Sequence, residues 1–221
     1  SLVGSEMCIR DSDHIDYALL CDGLKAEREQ GITIDVAYRY FTTSKRSFIV
    51  ADTPGHEEYT RNMAVGASFA DAAVILLDAT KGVLVQTRRH TRICSLMGIR
   101  DFIFIVNKMD LAEYQESVFR NIKKELEEFV QIFPCNSMAV IPVSATVGDN
   151  ITTDSEHMDW YQGSTLLSYL EDLELDTNNA EDDFVLPVQR VSRPNHTFRG
   201  FQGQVEAGSL RIGDVITVYP S

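Results

Sequence analysis

Wholly apolar runs alternate with helix-like apolar stripes along most of this chain. Ala73–Leu77 and Phe102–Val106 contain no polar residue, the pattern of strands buried on both faces of a parallel sheet. Phe48–Ala51 and the weaker Val140–Val143 read the same way, while Ile34–Thr42 alternates apolar and polar positions as a half-exposed strand does. Helical periodicity falls between them, at Tyr17–Gln30, Glu57–Ala67, Gln86–Met97, Tyr114–Val130 and Ser164–Asp172. Strands alternating with helices predict right-handed β-α-β units and an open α/β sheet flanked by helices. Beyond residue 184 the texture changes to short strands, Val185–Val191, Gly200–Val205 and Val215–Tyr219, separated by Gly and Pro. That is the start of an all-β barrel domain.

Composition narrows the possibilities. The chain has 221 residues, 44% of them hydrophobic and 24% charged, which is enough apolar material for one full domain and part of another. Twenty Lys and Arg against 33 Asp and Glu leave a net charge of −13, which argues against an open nucleic-acid groove. Cys8, Cys21, Cys94 and Cys135 form no Cys-x-x-Cys pair, so reduced thiols in a cytoplasmic protein are the expectation. No run is long and apolar enough to span a bilayer, and the first residues lack a basic leader and a cleavage pattern. Ser1–Asp11 reads as translated adaptor sequence, and residues 1–12 are set aside as an artefact.

Four short motifs carry the chemistry. Asp52-Thr53-Pro54-Gly55-His56 follows a buried strand directly. Asp52 there can hold Mg²⁺ through water, because Mg²⁺ keeps much of its hydration shell. Gly55 has no Cβ to block a phosphate from approaching its backbone N–H. Asn107-Lys108-Met109-Asp110 ends the strand Phe102–Val106. A carboxylate at Asp110 can accept from both the N1–H and the 2-amine of guanine. Adenine offers neither donor on that edge, and a site built for such a pairing rejects the analogue by about 10⁴-fold. Ser144-Ala145 follows the next strand, where a backbone N–H can reach guanine O6. In Gly31-Ile32-Thr33 a threonine hydroxyl on a loop can complete a Mg²⁺ shell. Alone, each motif reads better as a turn, a loop or a helix end. Together, three of them fall at the carboxyl ends of successive strands, where open α/β sheets bind ligands.

In that order the motifs resemble the translation-factor class of GTPases, over nearly the whole chain from Asp13. Within that class the segments Glu27–Arg39, His56–Met63 and Trp160–Leu167 resemble the large GTP-binding subunit of sulfate adenylyltransferase, the CysN type. So do Val191–Asn195 and Phe198–Gly203, which lie outside the shared GTPase motifs. The resemblance implies a P-loop NTPase-like sheet that binds GTP and Mg²⁺. Thr33 and Asp52 would belong to the metal shell, and Gly55 would sense the γ-phosphate, flanked by Thr53 and Pro54. His56 would be the catalytic residue that orients the attacking water. Asn107, Lys108, Met109 and Asp110 would form the guanine-reading turn, with Ser144 and Ala145 closing over O6. Gly31, Ile32 and Thr33 would form a switch loop. His14, His90, His157 and His196 have no such context and are taken as ordinary.

One departure stands out: Gly-x-x-x-x-Gly-Lys-Ser/Thr, the loop that cradles phosphates, occurs nowhere in the 221 residues. The family places that loop and its strand ahead of the Tyr17–Gln30 helix, so the reading is of a fragment that is itself inactive. The expected organisation is a GTP-binding domain at 13–176, a linker at 177–184 and a truncated barrel domain at 185–221. The implied activity is GTP hydrolysis coupled to making adenylyl sulfate from ATP and sulfate, with a smaller catalytic ATP sulfurylase subunit of the CysD type in a heterodimer or larger complex. No nucleic acid or membrane is expected as a partner. The alternative is an elongation-factor-type GTPase carrying aminoacyl-tRNA, which shares all four motifs.

Overall fold

The computed structural model describes residues 33–175, 183–193 and 195–219. The tract 1–12, His14, the expected helix Tyr17–Gln30, Gly31, Ile32 and Pro194 lie outside the described residues. The chain divides between Leu173 and Glu174 into two compact units.

In the first unit, β1 (Ala37–Thr42) and β2 (Ser47–Asp52) form an antiparallel hairpin. Phe41 and Phe48 face each other across it with rings stacked at 4.7 Å. Its turn is tied to the last helix of the unit, α4 (Leu166–Asp172), by Arg46 Nη1 donating to the Leu170 carbonyl and by a Lys45–Asp172 ion pair, both 3.0 Å. The remaining strands, β3 (Ala72–Asp78), β4 (Asp101–Asn107) and β5 (Ser137–Pro142), are parallel and ordered β3-β4-β5. Among the described residues β2 and β3 do not pair, so the open sheet consists of three parallel strands with a separate hairpin.

The helices α1 (Thr60–Ala67), α2 (Val85–Leu96) and α3 (Glu116–Val130) cover this sheet. In α3, Phe119, Ile122, Leu126, Phe129 and Val130 recur at helical spacing and are all buried. Its outer face carries Glu116–Arg120, Lys123–Glu127 and Lys124–Glu128 pairs, each four residues apart. The expected start of this helix at Tyr114 moves to Glu116. Glu113 and Tyr114 both take φ 54°, a left-handed conformation that a right-handed helix cannot include. Likewise the helix expected from Ser164 begins at Leu166, because the Thr165 side chain accepts from the Ser168 N–H and caps it.

β4 meets the expectation of burial on both faces: every residue from Asp101 to Val106 is buried. β3 does not. Ala73, Ile75 and Leu77 are buried, whereas Val74 is 41% exposed and Leu76 63%. The difference follows from position. Successive side chains of a strand point to opposite faces: the face of β3 bearing Ala73, Ile75 and Leu77 joins the core that Met63 of α1 and Cys94 of α2 complete, and the face bearing Val74 and Leu76 is left uncovered among the described residues.

In the second unit β6 (Arg190–Ser192) pairs antiparallel with β7 (Gly200–Gln202), and an isolated bridge joins Val185 to Ala207. The expected strand Val215–Tyr219 does not form: Val215 is fully exposed and the segment has no pairing partner among the described residues. No closed barrel results. Among the described residues no helix is long and apolar enough to cross a membrane.

Candidate functional site

α1 supports two of the expected loops together. Gly66 sits in that helix where a Cβ would lie 2.4 Å from Thr53 Cγ2 and 3.4 Å from Val36, so only glycine lets it press against both segments. From the same helix Asn62 Nδ2 donates to the Ile34 carbonyl at 2.8 Å, fixing the chain just after Thr33. Thr33 is half-buried, and Asp52 ends β2 on the exposed side. Both are hard oxygen donors of the kind Mg²⁺ takes, and among the described residues no cluster of three or more His, Cys, Asp or Glu side chains converges. That donor set fits an ion held mainly by water and phosphate oxygens rather than by a protein cage.

Pro54 is buried and follows directly on the end of β2. Gly55 and His56 follow on the surface, His56 extended at φ −78° and ψ 143° with its ring 6.2 Å from that of Tyr59. A short 3-10 turn, Glu57–Tyr59, leads into α1. α2 backs this segment in a way the sequence did not reveal. Arg89 pairs with Glu57 at 3.0 Å, and the His90 ring lies 3.7 Å from where a Gly55 Cβ would stand. Burial pushes the His90 imidazole below its ordinary pKa, opposed by a hydrogen bond to the Gly55 backbone. His90, taken as ordinary, is therefore a neighbour of the turn. No spacing in the chain links Arg89-His90 to residues 55–57, so only the packing of α2 exposes the relation.

The base-reading turn is cross-tied to the Ser144–Ala145 segment. Asn107 Oδ1 accepts from the backbone N–H groups of Lys108 (2.7 Å) and Ala145 (3.0 Å). Ser144 Oγ donates to Asp110 Oδ1 at 2.7 Å, and the Met109 N–H donates to the Val143 carbonyl at 3.1 Å. Met109 is completely buried and anchors the turn from below. Lys108 takes φ 64°, which swings its side chain across to Asp78 at the end of β3, Nζ to Oδ2 2.8 Å. Lys108 and the Thr80 hydroxyl and N–H hold the Asp78 carboxyl down to about 2. Asp78, Asn107 and Pro142 stand at the carboxyl ends of the three parallel strands, so the cluster occupies the end of the sheet where ligands bind. A groove of about 530 Å³ beside β5, lined by Arg120, Lys123, Trp160 and Tyr161, contains none of the expected residues.

Comparison with known proteins identifies the family. Residues 4–176 match the family model described as the Elongation factor Tu GTP binding domain. Sulfate adenylyltransferase subunit 1 from Tolumonas auensis is 58% identical over 209 residues, 95% of this chain and 44% of that protein. The protein of the same name from Aeromonas hydrophila is 56% identical over the same span. The chain thus spans less than half the length of these curated relatives. The crystal structure of a bacterial selenocysteine-specific elongation factor, EF-Sec, superposes with a TM-score of 0.58 at 23% identity, over 88% of this chain and 31% of that one.

Proposed function

The chain belongs to the Elongation factor Tu GTP binding domain family, and on that premise we propose that it is the GTPase segment of a sulfate adenylyltransferase large subunit. The observation that carries this reading is the cross-tied base-reading cluster. Ser144 donates to Asp110 Oδ1, which fixes the carboxylate and leaves Oδ2 to accept from a ligand. The Ala145 N–H is held beside it through Asn107. A guanine placed there gives its N1–H and 2-amine to Asp110, while its O6 lies toward Ala145. Thr33 and Asp52 would hold Mg²⁺, which neutralises phosphate charge when bound. Thr53 and Pro54 shape the turn, Gly55 admits the γ-phosphate to its backbone, and His56 orients water. Among the described residues nothing requires glycine at 55: a Cβ there would meet only an ordinary 3.7 Å contact. Its absence makes sense as room for a ligand. Gly31, Ile32 and Thr33 act as the switch loop.

Relatives named sulfate adenylyltransferase subunit 1 support a place in a multi-subunit sulfate adenylyltransferase, and in this reading GTP hydrolysis is coupled to adenylyl sulfate synthesis from ATP and sulfate, on a smaller catalytic partner subunit in the cytoplasm. The net charge of −13 weighs against the alternative of carrying aminoacyl-tRNA. The test of the site is Asp110→Asn. It puts an amide donor where guanine presents its amine, so preference passes to xanthine, which has an oxygen there. Competition between GDP and xanthosine diphosphate at millimolar concentration, followed by ligand-observed NMR, should show the reversal. Retained preference for GDP would remove Asp110 from base reading.

A further inference from the structure

We propose that Asp149 is a positioning residue for guanine selection, holding the Ser144–Ala145 segment in register with the Asn107–Asp110 turn. The inference rests on the guanine reading above and names a residue outside its motifs.

Asp149 is 8% exposed and closes a tight turn on Ser144: the Gly148 N–H donates to the Ser144 carbonyl at 2.7 Å, and the Ser144 N–H to the Asp149 carbonyl at 3.3 Å. Its side chain reaches the other way. Oδ1 accepts from Ser155 Oγ at 2.7 Å and faces His157 Nδ1 at 3.3 Å. His157 stacks on Tyr114 with ring centroids 4.7 Å apart and planes within 12°. Tyr114 belongs to the base-reading turn, since its N–H donates to the Met109 carbonyl at 2.8 Å, and its own carbonyl accepts from Trp160 Nε1 at 3.1 Å. Asp149 is therefore the junction of three segments: 144–149, 153–157 and 107–114.

An ionised carboxylate is a costly choice for a simple strut. Asn150, next to it and 2% exposed, does the strut's work with an amide: Nδ2 donates to the Pro142 carbonyl and Oδ1 accepts from the Ser155 N–H, both at 2.9 Å. Asp149 differs in having a buried second oxygen, Oδ2, with no hydrogen-bond partner among the described residues. Burial would raise its pKa, yet Ser155, His157 and the Tyr114 phenol together bring it below the ordinary value, so it is charged at neutral pH. The same phenol feels both Asp149 and Asp110. A charged acceptor at this junction holds Ser155 and His157, and through the His157–Tyr114 stack it sets the spacing between the two base-contacting segments. An amide in its place keeps the bond to Ser155 but loses the charge that holds His157 against Tyr114.

The experiment uses the 221-residue chain and two readouts. In the ligand-free chain, Asp149→Asn should speed exchange of the Ala145 amide about 10-fold, while the β4 amides stay within about two-fold of wild type. Affinities for GDP and inosine diphosphate, which lacks the 2-amine, are then measured at millimolar concentration by ligand-observed NMR. Wild type should prefer GDP, Asp110→Asn should abolish that preference, and Asp149→Asn should reduce it several-fold with inosine diphosphate affinity unchanged. Equal losses for both nucleotides, or an unchanged ratio beside a collapsed one in Asp110→Asn, would overturn the positioning role. Unchanged Ala145 exchange would overturn it without any nucleotide. Equal binding of GDP and inosine diphosphate by wild type would instead bring down the guanine reading, and this inference with it.

Discussion

The Asp78–Lys108 pair offers a quantitative test of how the site is held before any ligand arrives. Asp78→Asn removes the charge but keeps an oxygen for the Thr80 hydroxyl and N–H, which sit 2.6 and 2.9 Å from Asp78 Oδ1. The carboxyl falls from 3.8 to about 2 in the folded chain, equivalent to about 2.5 kcal/mol if fully expressed as stability. The Lys108 side chain is 49% exposed, so water and salt screen the attraction, and about 1 kcal/mol is the expected loss at pH 7. The sign follows from linkage. A carboxyl with a depressed folded pKa contributes fully above its unfolded value of about 3.9, and the contribution disappears as pH falls through about 2. Near pH 3 about half should remain. Urea denaturation of the first unit, followed by far-UV circular dichroism at pH 7 and pH 3, gives both values, and 1 M salt should shrink the pH 7 difference. An equal cost at both pH values would refute the reasoning, since a packing defect does not titrate.

Two further outcomes bear on catalysis and binding. With no phosphate-cradling loop in its 221 residues, the chain should bind a GTP analogue with Mg²⁺ far more weakly than micromolar in isothermal titration; micromolar binding would require another phosphate site. In a longer version with such a loop placed ahead of residue 13, His56→Ala should slow GTP hydrolysis by about 10²–10⁴-fold with nearly unchanged GTP affinity. An equal fall in affinity would make His56 structural.

The sequence exposed those features that local chemistry determines, and it missed those that depend on what lies across the fold. The apolar run Phe102–Val106 reads as a strand covered on both faces and is one, since every residue of it is buried. The equally apolar Ala73–Leu77 reads the same and is not, because composition cannot say which face of a strand the rest of the fold will cover. The motifs placed Asn107, Asp110, Ser144 and Ala145 at strand ends, and these four come together by hydrogen bonds. Asp78, His90 and Asp149 carried no motif. Their partners Lys108, Gly55 and His157 lie 30, 35 and 8 positions away, reached only through parallel strand register, helix packing and a left-handed turn. The Val215–Tyr219 segment shows the opposite error, β-branched content without a partner to pair with.

The bare side of β3 has a consequence for how this chain behaves outside the test tube. Val74 and Leu76 present apolar side chains on an uncovered face of β3, and Ile49 and Val50 of β2 are exposed as well, at 69% and 44%. Exposed apolar surface of this kind invites association, and a cell treats it as it treats unfinished folding. Chaperones that recognise extended apolar segments should retain the chain, and at high expression it should accumulate in inclusion bodies. Solubility would then report on the cover of that face: a Leu76→Lys variant, which charges it without touching the base-reading cluster, should move the chain into the soluble fraction.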